Sequence, residues 1–190
     1  MIEIQAWPFS ESERERWYGG SSRLLDKSAA SPFIRRVLRQ KHAVRPRRFF
    51  GEALVASTLE HEEGYYCPFK WLTASQWSGK RELTGRDAKE FRGALARHFP
   101  RLGDLQRTAA GAAQLLGCPK PVGPDLWLVT KSCHLFIEVK LPKDSAARHQ
   151  IAGLALLATR LPSSMPIKVL VINLDNTKAL FDEYAKKITG

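Results

Sequence analysis

Residues 124–129 read Pro-Asp-Leu-Trp-Leu-Val, and residues 136–140 read Phe-Ile-Glu-Val-Lys. Both are short apolar runs typical of β-strands, and the turn-like segment 130–133 joins them, so we expect a β-hairpin. Because side chains alternate between the two faces of a strand, Glu138 and Lys140 share one face. Asp125 lies roughly opposite them in such a hairpin. Two acids and a lysine then meet at one end of a sheet, an awkward arrangement unless a metal ion or a phosphate joins them.

The size and charge of the chain bound its class. It has 190 residues, of which 44% are hydrophobic, and this is enough for one folded domain with a proper core, with or without a helical appendage. The formal net charge of +11 favours a polyanionic partner, most often nucleic acid and sometimes an anionic membrane surface. A soluble basic protein without such a partner is the alternative.

Cysteine usage and hydropathy indicate a reducing compartment. Cys67, Cys118 and Cys133 are far apart and form no CxxC pair, so neither a zinc knuckle nor a disulfide framework is indicated. The N-terminus does not resemble a signal peptide, and no apolar run approaches the ~20 residues of a membrane span. We therefore expect no membrane partner and a cytoplasmic location, in association with DNA or the nucleoid.

A basic stretch precedes the predicted core. Between residues 35 and 48 the chain carries seven basic Arg and Lys residues and no acid. This pattern favours a phosphate-binding stripe, although a solvated basic face would have the same sequence pattern. With further basic positions downstream, the predicted nucleic-acid contacts are Arg35, Arg36, Arg39, Arg45, Arg47, Arg48, Lys80, Arg81 and Lys143.

Two predicted helices place a polar side chain on an apolar face. At about 100° per residue, Glu52 falls on the same side as Val55 and Leu59. A carboxylate there is costly unless it is paired or binds a cation, but an acid in the first turn also favours the helix dipole. Gln150 lies on the apolar stripe of a helix that follows Lys140, where an amide is unexpected.

The order of predicted elements indicates a mixed α/β fold. It runs helix, strand (Tyr65 to Leu72), a helical insertion at about 73–117, two strands, helix, strand and a last helix at 176–188. The strand-helix-strand unit after Lys140 implies a parallel pair of strands. We divide the chain into an N-terminal arm with a basic helix, 1–44, and a core domain, 45–190.

The polar positions of this core suit metal-dependent hydrolysis. Carboxylates of Glu52, Asp125 and Glu138, with the carbonyl of Val139 and waters, would suit Mg²⁺ or Mn²⁺. Lys140 beside them could hold the attacking water and neutralise charge that develops on a phosphate. The sequence therefore predicts hydrolysis of a phosphodiester.

Pro124-Asp125 with Glu138-Val139-Lys140, the helix that carries Glu52 and the helix that carries Gln150 resemble the PD-(D/E)xK nuclease superfamily. These motifs are most similar to those of its VRR-NUC branch and of its Holliday-junction-resolvase-like members. The resemblance implies a restriction-endonuclease-like αβββαβ core and cleavage of DNA with Mg²⁺ or Mn²⁺. It also implies catalytic roles for Asp125, Glu138, Lys140, Glu52 and Gln150.

Other functions stay open at this point. A nuclease fold that has lost activity could serve as a DNA-binding or inhibitory module, and a nuclease toxin is compatible with the size of the chain. RNA is a less favoured partner, because no RRM or KH signature is present. Many members of the superfamily are dimers, so a homodimer stays open, although no segment indicates an interface.

Overall fold

The computed structural model describes residues 2–72, 83–115 and 120–174, which form a five-stranded mixed sheet flanked by helices. The fold is therefore α/β, as expected. The strands are β1 (Ile2–Trp7), β2 (Glu63–Tyr66), β3 (Leu126–Val129), β4 (His134–Lys140) and β5 (Ile167–Leu174). The helices are α1 (Glu11–Tyr18), α2 (Pro32–Val44), α3 (Phe50–Thr58), α4 (Gly85–His98), α5 (Leu102–Leu115) and α6 (Arg148–Arg160).

The predicted hairpin is confirmed as the pair β3 and β4. The two strands are antiparallel, and Leu126 lies opposite Ile137. The turn closes through the Thr130 N–H, which donates to the Cys133 carbonyl at 3.0 Å, and through the Cys133 N–H, which donates to the Thr130 hydroxyl at 3.1 Å. Continuing this register by one residue puts Asp125 opposite Glu138, so the hairpin fixes the position of both acids.

The sheet order is β1-β5-β4-β3-β2. Strands β2, β3 and β4 are antiparallel neighbours, whereas β4, β5 and β1 are parallel. Helix α6 connects β4 to β5, as the strand-helix-strand prediction required. The carboxyl ends of β4 and β5 therefore lie side by side, with Lys140 next to Asn173.

Alternating strand residues feed two hydrophobic cores, one on each face of the sheet. Trp127 and Phe136 belong to the core under α4, α5 and α6. Leu128 and Ile137 belong to the core under α3 and α1. Helix α2 packs against the edge strand β2 and contributes side chains to both cores. This alternation sends Glu138 and Lys140 to the same face as Phe136.

The predicted helical insertion is a structural layer of the domain. Phe91 of α4, Phe99 directly after α4 and Leu105 of α5 are fully buried in the core that contains Trp127 and Phe136. Their burial shields the aromatic face of the central strands, so this segment is not an appendage to a complete core. Residues 73–82 and 116–119 and the predicted last helix at 176–188 lie outside the described residues.

The proposed boundary at residue 44 falls within one packed body. Strand β1 pairs with β5 along its whole length, from Ile2 opposite Val169 to Trp7 opposite Leu174. Ile34 and Leu38 of α2 are completely buried in the core. The sequence pattern does not indicate β1, because Ile2–Trp7 is an edge strand with little burial of its own.

Strand β2 begins and ends earlier than expected. It covers Glu63–Tyr66, and the chain turns after Pro68, where the Trp71 N–H donates to the Pro68 carbonyl at 3.2 Å. Proline cannot donate to a strand ladder, which explains the early end. Trp71 and Leu72 are nonetheless fully buried, because they fill the core from this turn. No helix in the described part of the chain is long and apolar enough to cross a membrane.

Candidate active site

Two glycines let the helices that carry Glu52 and Gln150 approach the sheet closely. A Cβ atom on Gly51 of α3 would lie 2.7 Å from Cγ1 of Val139. A Cβ atom on Gly153 of α6 would lie 1.8 Å from the carbonyl oxygen of Val122. Only glycine permits such contacts, so α3 is held against the end of β4, and α6 is held against the segment that leads into β3.

Asp125 is held against the second strand by a backbone contact. The Val139 N–H donates to Oδ2 of Asp125 at 2.8 Å, and the Cys67 N–H donates to the Asp125 carbonyl at the same distance. Among the described residues, no hydrogen bond goes to Oδ1. The carboxylate is thus fixed directly before the start of β3, with Oδ1 available for a ligand.

Glu138, Lys140 and Gln150 form one connected network. Glu138 is 1% exposed, and its Oε1 accepts hydrogen bonds from Lys140 Nζ at 2.7 Å and from Gln150 Nε2 at 2.5 Å. Gln150 Oε1 accepts from Lys140 Nζ at 3.1 Å and from the Ala147 N–H at 2.9 Å. The unexpected amide of Gln150 therefore caps the first turn of α6 and orients both charged groups.

The three site carboxylates repel one another. Burial and the Asp125 charge raise the pKa of Glu52 to about 8, and burial and the Glu138 charge raise the pKa of Asp125 to about 7. Burial raises the pKa of Glu138 as well, although Lys140 opposes this rise. Three mutually repelling acids beside a single lysine are an electrostatically costly arrangement that a bound cation would relieve.

Glu52 reaches this site from the opposite side of the sheet. Helix α3 covers the face of Ile137, whereas Glu138 and Lys140 point to the other face. Among the described residues, Glu52 makes no side-chain hydrogen bond or ion pair with the other site groups. Its connection to Asp125, Lys140 and Glu138 is electrostatic. The structure thus brings Asp125, Glu138, Lys140 and Gln150 together closely and adds Glu52 at longer range.

Asn173 is a polar neighbour that the sequence analysis did not select. It lies beside Lys140 across the parallel pair β4 and β5, and strand alternation places it on the face of Glu138 and Lys140. Its Oδ1 atom is buried and has no hydrogen-bond partner among the described residues. A buried orphan amide oxygen is unusual and suits a bound water or cation. The signal was an asparagine at the penultimate position of the largely apolar strand β5.

The predicted phosphate-binding side chains fall into two groups. Arg36 donates to Asp87 and to Glu90, each at 2.6 Å, and Arg39 pairs with Asp26. These two arginines thus form ion pairs within the protein, and the prediction that they bind phosphate loses support. The members without an ion pair in the described structure are Arg35, Arg45, Arg47, Arg48 and Lys143, all of them exposed except the half-buried Arg35. Lys80 and Arg81 lie outside the described residues.

The donor set fits a hydrated divalent cation better than a closed protein cage. In the part of the chain that the structure describes, no three His, Cys, Asp or Glu side chains lie together so as to hold a metal ion. Mg²⁺ commonly uses one or two carboxylates and keeps several waters. Asp125, Glu138 and the Val139 carbonyl, together with the orphan Asn173 oxygen nearby, are compatible with that mode, and Glu52 is a more distant carboxylate.

No protein-family model, no curated protein and no solved structure matches the chain.

Proposed function

We propose that this protein is a divalent-metal-dependent nuclease that hydrolyses phosphodiester bonds in DNA. The observation that carries the proposal is the network of Glu138, Lys140 and Gln150 at the end of β4, with Asp125 held opposite by the Val139 N–H. An acid pair that can hold a divalent cation, with an ammonium beside it, suits phosphodiester hydrolysis.

The restriction-endonuclease-like core belongs to this proposal. Helix α3, strands β2 to β4, helix α6 and strand β5 follow one another in the order αβββαβ. This order and the resemblance of the motifs both support membership of the PD-(D/E)xK nuclease superfamily. Strand β1 and the helical layer of α4 and α5 are additions to that core.

Each site residue has a role that follows from its contacts. The Lys140 ammonium has three N–H donors, and two of them donate to Glu138 and Gln150. The third can therefore position the attacking water or contact the phosphate. Gln150 keeps the ammonium in place, and Asp125 and Glu138 are the proposed ligands of Mg²⁺ or Mn²⁺, with Glu52 assisting. The metal supplies charge stabilisation and a more acidic bound water.

The charge of the chain supports DNA as the substrate. Arg45, Arg47 and Arg48 form an exposed cluster just before α3, the helix that carries Glu52. Phosphate contacts from such a cluster bring a polyanion to the site and make its binding dependent on salt. Lys143, in the loop that follows Lys140, is placed to contribute in the same way.

A cleavage assay tests the proposal. We expect the protein to cut DNA with Mg²⁺ or Mn²⁺ and to lose activity in a chelator, using linear, nicked, flapped, single-stranded and four-way junction substrates. Asp125→Asn should abolish cleavage without unfolding the chain, as judged by circular dichroism. If Asp125→Asn cuts as well as the parent, the site assignment is wrong.

A catalytically silent DNA-binding module is the second candidate. The ion pair between Lys140 and Glu138, and the lack of three adjoining metal-ligand side chains among the described residues, favour it. DNA binding by the parent without cleavage in either metal would establish this alternative.

A further inference from the structure

A groove of about 690 Å³ lies beside the candidate active site and combines basic and aromatic side chains. Lys41, Arg45 and Arg48 contribute the positive charge, and none of the described residues that line the groove is acidic. Its aromatic side chains are Phe49, Tyr66 and Phe69.

The groove borders the site through short backbone connections. Tyr66, the last residue of β2, lies opposite Leu126. The N–H of the next residue, Cys67, donates to the Asp125 carbonyl. The Gly123 N–H donates to the Phe69 carbonyl at 3.2 Å, and the Phe69 ring contacts the ring of His149, which precedes Gln150, with centroids 5.9 Å apart. Whatever occupies the groove would therefore lie next to Asp125 and α6.

Phe69 offers the accessible aromatic surface of this groove. It is 45% exposed, which is unusual for a phenylalanine of the described structure. The other two rings lie under the Lys41 ammonium, 4.7 Å from the centre of Tyr66 and 5.4 Å from that of Phe49. Tyr66 and Phe49 thus form an aromatic floor covered by the Lys41 ammonium, and Phe69 is the ring on which a planar group can stack.

The basic rim of the groove is held in a defined position. The Trp17 indole N–H donates to the Arg48 carbonyl at 2.8 Å, and Trp17 stacks on His42 with ring centroids 4.4 Å apart. Phe49 follows with a φ of 64°, in the left-handed region that a bulky residue rarely adopts. Such strain is common at binding sites, where the surrounding structure holds it.

We propose that this groove binds an unpaired nucleotide of the DNA substrate, with the base stacked on Phe69 and the adjacent phosphates on Arg45 and Arg48. Single-stranded nucleic acid is commonly bound by this combination of an aromatic platform and a positively charged groove. The inference rests on the proposed nuclease function, because it takes the neighbouring carboxylates as the cleavage site. It makes DNA with a single-stranded segment the preferred substrate class.

Equilibrium binding in chelator tests the groove without depending on cleavage. The probes are a fluorescently labelled single-stranded oligothymidylate and a blunt hairpin duplex with the same number of phosphates. Phe69→Ala should weaken binding of the single strand about tenfold, or about 1.4 kcal/mol, and should change binding of the duplex less than about twofold. Phe69→Tyr keeps the ring and should retain the parent affinity.

Ile4→Ala is the matched control, because Ile4 is an exposed hydrophobic residue that does not line the groove. It should leave both affinities unchanged. Equal effects of Phe69→Ala on both probes, or no effect on the single strand, would overturn the inference. If the parent cleaves DNA while Phe69→Ala binds single strands normally, only the groove assignment fails. If the parent never cleaves but Phe69→Ala binds single strands selectively worse, only the nuclease proposal fails.

Discussion

The side-chain amide of Gln150 donates a 2.5 Å hydrogen bond to Oε1 of Glu138, so the first turn of α6 is tied to the end of β4. The same glutamate oxygen accepts from Lys140 at 2.7 Å. A neutral side chain from a helix thus fixes the geometry of an acid and a lysine that the strand alone would leave without support.

Replacing Gln150 tests whether this support matters for catalysis. We expect Gln150→Ala to lower the cleavage rate by roughly tenfold to a hundredfold, because partners that orient metal ligands have effects of that size. Ile151→Ala, a change at the neighbouring exposed position, is the control and should cleave at the parent rate. Single-turnover kinetics measures both, and an unaltered rate in Gln150→Ala would contradict the positioning role.

We expect the ammonium of Lys140, at its position beside Glu138, to be essential for cleavage. Lys140→Met removes the ammonium from Glu138, and we expect at least about a hundredfold loss of cleavage. Lys131→Met makes the same change in the turn at the other end of the hairpin, where Lys131 is exposed, and should keep its activity. Equal rates for the two variants would show that Lys140 takes no part in the chemistry.

The raised carboxylate pKa values predict how stability changes with pH. Asp125 and Glu52 take up protons near pH 7 and 8 in the folded chain, against ordinary values of 3.8 and 4.5. The unfolded chain binds fewer protons between these limits, so their contribution to the free energy of unfolding falls as pH rises from about 4 to about 8. Mg²⁺ should restore stability, and more strongly at pH 8 than at pH 5.

The comparison variant for this pH series is Glu52→Gln. It should flatten the decline of the free energy of unfolding with pH, and at pH 8 without metal it should melt at a higher temperature than the parent. Buried His134 acts in the opposite sense, because burial lowers its pKa to about 4 from 6.5 and its contribution is lost as the solution becomes more acidic. Glu60→Gln, at an exposed glutamate, serves as the control. Thermal melts in which Glu52→Gln and Glu60→Gln behave alike would refute the electrostatic account.

Because α6 lies close to the Val122 backbone, replacing glycine by alanine should change the stability of the protein differently at Gly153 and at Gly93. Gly153→Ala should destabilise the fold by about 1–3 kcal/mol, because its Cβ would meet the Val122 carbonyl. In helix α4, a Cβ on Gly93 meets nothing within 4 Å, so Gly93→Ala should stabilise by about 0.5–1 kcal/mol. Denaturant unfolding measures both, and a neutral Gly153→Ala would contradict the packing.

Two arginines of the basic stretch should separate structure from binding. Arg36→Ala should lower stability by about 2 kcal/mol, because it leaves the buried Asp87 carboxylate without its ion pair. Arg45→Ala should leave stability unchanged but reduce the slope of log affinity against log salt by about one. The test is a salt titration of DNA binding beside thermal melts, and a reversed pattern would mean that Arg36 is the phosphate contact.

Local pattern was sufficient for the hairpin and for the polar positions near it. The apolar runs and the turn between them predicted β3 and β4, and period-two alternation put Glu138 and Lys140 on one face. The unexpected amide of Gln150 on an apolar helix face pointed to a polar network that the structure contains. These predictions succeeded because they depend on residues adjacent in sequence or on a single element.

Contacts between distant segments could not be read in the same way. Strand β1 owes its existence to pairing with β5, more than 160 residues away, as in Ile2 opposite Val169. The ion pair of Arg36 with Asp87 joins two helices, and nothing in the basic stretch distinguishes Arg36 from Arg45. The role of α4 and α5 as a layer likewise depends on the aromatic face that they cover.

The sequence by itself determined the hairpin, the shared face of Glu138 and Lys140, the polar helix position at Gln150 and the basic character of the chain. Only the tertiary structure decided which arginines form ion pairs, that the helix carrying Glu52 packs on the opposite face of the sheet, and that Asn173 lies beside Lys140. The physical reason is that periodicity constrains side-chain direction within one element. Distances between elements are set by packing, here by Gly51 and Gly153 where two helices meet the end of the sheet.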